Sequence, residues 1–102
     1  MVKYVTAKEL EEIISTSDKT VFCDFWATWC GPCRMLAPEL EKFANDFSEK
    51  VKVGKVNVDD EMELAMQFGI EVIPTLIVFE NGKAVQKISG YFDYEELKQK
   101  LL

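Results

Sequence analysis

From Ala7 to Ser15 the apolar residues Leu10, Ile13 and Ile14 share one face of a helix, and Thr6 with Glu9 three residues on has the pattern of a capping box. A short strand is expected before it, at Lys3 to Val5. Thr20 to Ala27 reads differently. Val21, Phe22, Cys23, Phe25 and Trp26 leave no polar face, so this strand must be covered on both sides and belongs in the middle of a sheet. After Cys33 the helical period returns in Leu36, Leu40, Phe43, Ala44 and Phe47. Pro38 within that run removes one backbone hydrogen bond and is expected to bend the helix. Val51 to Val58 alternates valine with Lys, Gly and Asn, a strand pattern. Asp60 and Glu63, ahead of Leu64, Ala65, Phe68 and a stopping Gly69, predict a short capped helix.

Thr75 to Phe79 and Ala84 to Ser89 are β-prone runs separated by Asn81-Gly82, a strong hairpin signal, so the last two strands should be antiparallel. Asp93 and Glu96 open a final helix carrying Leu97, Leu101 and Leu102. The element order is therefore βαβαβαββα, an α/β arrangement with a mixed sheet and helices on both faces. With no repeat, linker or low-complexity tract, Met1 to Leu102 reads as a single domain.

Charge and composition narrow the function. Eighteen acidic residues against 12 basic ones give a formal net charge of -6, which disfavours nucleic acid and anionic membranes as partners. Histidine is absent, so imidazole acid-base catalysis, Cys-His nucleophile pairs and histidine-containing metal sites are excluded together. Met1 to Val5 lack a basic start and a following apolar stretch, and the most apolar run, Ile70 to Phe79, is too short to span a membrane. A cytoplasmic location is expected.

Cys30-Gly31-Pro32-Cys33 follows the central strand and opens the long helix, where α/β sheets place their working residues. Unpaired amides and the positive helix end favour a thiolate there. Cys30, nearest the helix start, is expected to be the exposed nucleophile. Cys33 lies one turn further on the same face, where it can close a small disulfide ring. Gly31 lets a partner approach closely, and Pro32 has a φ suited to the first turn. A structural zinc site would need four ligands, and neither histidine nor a second C-x-x-C is present.

Asp24 is a carboxylate among apolar neighbours. Burial would raise its pKa toward neutrality and suit it to exchange a proton with Cys33, unless it reaches solvent at a strand end or pairs with a lysine. Cys23 reads as an inert buried hydrophobe on the face of Val21 and Phe25. Trp29, if not a core aromatic, shields the thiol and offers a partner a flat apolar contact.

These features, with Trp29-Cys30-Gly31-Pro32-Cys33, Asp24-Phe25-Trp26-Ala27, Pro38, Lys55, Ile73-Pro74-Thr75, Asn81-Gly82 and Gly90 in this order, closely resemble the thioredoxin family over essentially the whole chain. The resemblance implies a three-layer α/β/α sandwich with a central mixed five-stranded sheet and four helices. It implies a monomeric protein-disulfide reductase that needs no cofactor or metal, acts on disulfide-containing proteins and is recharged by a thioredoxin reductase. Asp24, near Lys55, would assist Cys33, and Ile73-Pro74 would be a cis peptide facing the cysteines. The substrate-facing surface would comprise Trp29, Gly31, Pro32, Val58, Val72, Ile73, Pro74, Gly90 and Tyr91. Cys23 and the bulky Tyr91-Phe92 depart from many relatives. Competing readings are an oxidase or isomerase, a non-catalytic binding module, and metal delivery through the thiolates.

Overall fold

The computed structural model describes residues 2–102; Met1, the expected start of the domain, lies outside the described residues. Among them, five strands and four helices follow the anticipated order: β1 (Val2–Tyr4), α1 (Ala7–Thr16), β2 (Thr20–Trp26), α2 (Gly31–Asp46), β3 (Val51–Asn57), α3 (Met62–Gln67), β4 (Thr75–Glu80), β5 (Lys83–Ser89) and α4 (Tyr94–Leu101). The sheet runs β1-β3-β2-β4-β5. β1, β3 and β2 are mutually parallel, while β4 is antiparallel to β2 and to β5. None of the described helices is long and apolar enough to cross a membrane.

The apolar character of β2 on both faces is explained by its place between β3 and β4. Val21, Cys23 and Phe25 pack with Leu10, Leu64 and Ala65 on the α1 and α3 side. Phe22 points the other way, into a second core with Leu36, Leu40, Phe43 and Leu97 from α2 and α4. Three layers follow directly from that alternation. The β4–β5 hairpin turns at Asn81 and Gly82, both with positive φ (52° and 80°), the conformation for which Asn-Gly is the preferred pair.

Helix starts divide into two kinds. In α1 and α4 the capping boxes form as expected, Thr6 with Glu9 and Asp93 with Glu96. Asp93→Ala should therefore cost about 1 kcal/mol of stability, read as a lower urea midpoint at unchanged slope, with Asp93→Asn close to wild type. The cap expected at Asp60 does not form: α3 begins at Met62, behind Glu61, without a side-chain cap. The Asn57 side chain instead accepts from the Asp59 and Asp60 amides, holding that segment as a turn. Glu61 instead reaches toward α1, accepting from the Ala7 amide at 2.8 Å and so tying the start of α1 to the β3–α3 loop.

Candidate active site

Cys30 occupies the N-cap of α2, with extended backbone (φ -89°, ψ 112°). Its sulfur accepts a hydrogen bond from the Cys33 amide at 3.2 Å, so the thiol takes the position that a Ser or Asp side chain fills in an ordinary cap. Pro32 in the first turn removes an amide that would have no intrahelical partner. Cys30 and Cys33 are joined as a disulfide, their Cα atoms 5.2 Å apart. A Cβ on Gly31 would meet nothing within 4 Å, so the backbone beside the pair lies open to a partner.

Exposure does not separate the two sulfurs in the way expected. Cys30 is 5% exposed and Cys33 2%. The capping geometry folds Cys30 inward, against Ala27 and Cys33 and toward the Ile73 carbonyl oxygen, 3.8 Å from its sulfur. What distinguishes Cys30 is the amide aimed at it and its place at the positive helix end.

The Ile73-Pro74 peptide is cis. The Pro74 carbonyl accepts from the Gly90 amide at 2.8 Å, and Gly90 holds φ +106°, which a side chain would resist. The Thr75 hydroxyl donates to the Val72 carbonyl at 2.7 Å, closing the same loop. Ile73 and Val58 pack on the Ala27-Cys30-Cys33 cluster. Trp29 (67% exposed), Val72 (59%) and Tyr91 (38%) present large apolar surfaces. Pro32 is exposed too, whereas Gly31, Val58, Ile73 and Gly90 are half-buried and Pro74 is buried. Trp29 is thus no core residue, and its indole N–H donates to Asp59 at 2.9 Å.

Asp24 is 1% exposed in mid-strand, so it does not reach solvent. Its carboxylate lies 3.8 Å from the Lys55 ammonium, an ion-pair distance too long for a hydrogen bond, and neither oxygen accepts a hydrogen bond from a described residue. Burial pushes its pKa up to about 6, the Lys55 charge opposing part of that rise. Cys23, on the opposite sheet face, is buried outright, which drives its thiol pKa far upward and keeps it protonated.

Two contributors escaped the sequence reading. Asp59 was unmarked, although an exposed indole beside a reactive site calls for an acceptor on a neighbouring strand end. Tyr4 reaches the Lys55 ammonium across β1 and β3, a pairing with no local signature. A cleft of about 740 Å³ between α1 and α3 includes neither redox cysteine.

The family model for thioredoxin matches residues 1–102. The thioredoxin of Listeria monocytogenes is 44% identical over 99 residues, 97% of this chain and 94% of that protein. That of Alicyclobacillus acidocaldarius is 54% identical over 84 residues, 82% of this chain and 80% of its own length. Among solved structures, a mutant thioredoxin from Halobacterium salinarum superposes with a TM-score of 0.89 at 37% identity, covering 98% of this chain and 87% of that one. The thioredoxin of Malassezia sympodialis gives 0.87 at 35% identity, with 97% and 88% covered. A cysteine that caps a helix and closes a disulfide with the residue one turn on, in a chain matched along its length by such proteins, is redox machinery: the chain belongs to the thioredoxin family and is a thiol-disulfide oxidoreductase.

Proposed function

We propose that this chain is a general reductant of protein disulfides, working as a one-domain monomer in the cytoplasm and recharged by a thioredoxin reductase. The observation that carries the reading is the Cys33 amide directed at the Cys30 sulfur at the N-terminus of α2. A thiolate at Cys30 gains a charge-assisted hydrogen bond and the helix dipole, and both lower its pKa.

In the proposed cycle the Cys30 thiolate attacks one sulfur of a substrate disulfide. A mixed disulfide forms, and the other substrate sulfur leaves as a thiolate. The Asp24 carboxylate, aided by Lys55, takes the Cys33 proton. The Cys33 thiolate attacks the Cys30 sulfur, the Cys30–Cys33 bond closes, and the second substrate thiolate leaves and is protonated. Two electrons have passed to the substrate. The exposed apolar side chains of Trp29, Val72 and Tyr91 are proposed to form, with Gly31, Pro32, Val58, Ile73, Pro74 and Gly90, a surface for an extended polypeptide held through its main chain and selected only loosely by side chains.

Equilibration in defined thiol-disulfide buffers, with mass spectrometry identifying the reacting cysteines, tests the direction of transfer. The expected result is a two-electron transition between Cys30 and Cys33 more reducing than glutathione, requiring a stronger dithiol to open the pair. A markedly oxidising pair would make the protein an oxidase or isomerase instead.

A further inference from the structure

Strand register sets three residues side by side on one face of the sheet: Tyr4 of β1 opposite Lys55 of β3, and Lys55 opposite Asp24 of β2. The Lys55 ammonium lies 3.8 Å from the Asp24 carboxylate, 5.0 Å from the Trp26 ring centroid and 5.5 Å from that of Tyr4. The two rings themselves meet edge to face, 5.6 Å apart. Lys55 is 6% exposed while Tyr4 is 66% exposed, so a surface ring covers a buried cation.

The other charged groups facing this cleft of about 450 Å³ are Glu9 from α1 and Asp60 and Glu61 from the loop before α3. Two of them are otherwise engaged. Glu9 accepts from the Thr6 amide and Glu61 from the Ala7 amide. Among the described residues, Lys55 pairs with the Asp24 carboxylate. A long lysine side chain gains rotamer entropy and hydration by swinging into water, so something must hold the ammonium on the carboxylate. The faces of Tyr4 and Trp26 supply that attraction.

We infer that Tyr4 is a positioning residue for the redox chemistry: its ring holds the Lys55 ammonium against Asp24 and thereby sets how tightly that carboxyl keeps its proton. The inference rests on the proposed role of Asp24 as proton acceptor only for its kinetic consequence; its effect on Asp24 ionisation stands apart from that role.

The test compares Tyr4→Leu, which keeps apolar cover but removes the π face, with Tyr4→Phe, which keeps the face and loses only the hydroxyl. The Asp24 carboxyl is titrated by carbon NMR in each variant, and the pH profile of disulfide reduction is measured beside it. Tyr4→Leu should move the Asp24 midpoint upward by about half a pH unit, the size expected of one exposed cation–π contact, and Tyr4→Phe should leave it in place. The acid limb of the rate profile should move upward in parallel. An unchanged midpoint in Tyr4→Leu, or equal shifts in both variants, overturns the inference. A midpoint that moves while the acid limb stays fixed supports the positioning role of Tyr4 and instead overturns Asp24 as the proton acceptor.

Discussion

Cys33→Ser should turn the protein from a catalyst into a trap that holds its substrates covalently through Cys30, while Cys30→Ser should trap nothing; both should lose turnover. The asymmetry follows from position. Cys30 receives the Cys33 amide and stands at the N-cap of α2, where the unpaired amides stabilise a thiolate. Cys33, inside the first turn rather than at the cap, lies at the right place to attack a sulfur already on Cys30 but lacks the cap position that favours a thiolate and so begins the exchange. Well-oriented intramolecular attack has an effective concentration of up to about 10⁵ M or more, so removing it leaves the mixed disulfide to external thiols at millimolar levels. A mixed disulfide lasting through non-reducing electrophoresis, mapped to Cys30 by mass spectrometry, is the expected readout. Trapping through Cys33 in the Cys30→Ser protein would reverse the assigned roles. Cys23, fully buried on the other face of the sheet, should stay unmodified throughout, so Cys23→Ala is a suitable background.

What the sequence made legible was local. The Asn81-Gly82 turn, the Asp93–Glu96 and Thr6–Glu9 boxes and the doubly apolar run at Val21–Trp26 each bring their own short-range physics, and each formed where expected. The redox pair was legible for the same reason, since a cysteine at an N-cap is a local event. Contacts made by folding were not. Glu61 caps α1 from 54 residues away, and that long-range demand, with Asn57 holding the turn ahead of it, displaced the start expected from Asp60. The burial of Cys30 depends on Ile73, 43 residues on. Pairing of Asp24 with Lys55 was implied by family resemblance alone, and the aromatic cover over Lys55 only by the register of three strands. A row across a sheet leaves no period in the sequence.

Asp24→Asn is the variant in which stability and rate should move in opposite directions. In the oxidised protein burial raises the Asp24 pKa from 3.8 to about 6. Below the lower value both folded and unfolded chains hold the proton. Between the two values the unfolded chain has lost it while the folded one keeps it, so stability falls as pH rises through this window. Above pH 6 the folded state carries a buried carboxylate with no hydrogen-bond donor among the described residues, at a cost of about 3 kcal/mol relative to acid conditions. Asparagine removes that dependence. Lys55 keeps its cation against the rings of Trp26 and Tyr4, so losing the carboxylate charge does not leave it bare. Asp24→Asn should therefore be more stable at pH 7 to 8 by up to about 3 kcal/mol, the advantage vanishing near pH 4, as read by urea unfolding across pH. Its disulfide reduction should fall by roughly tenfold or more at pH 7 with KM little changed, because only a few per cent of an ordinary thiol is ionised there unaided. The deficit should shrink as pH rises and hydroxide takes over the removal of the Cys33 proton. Lower stability at neutral pH with an unaltered rate would leave Asp24 a structural partner of Lys55 and move the proton acceptor elsewhere.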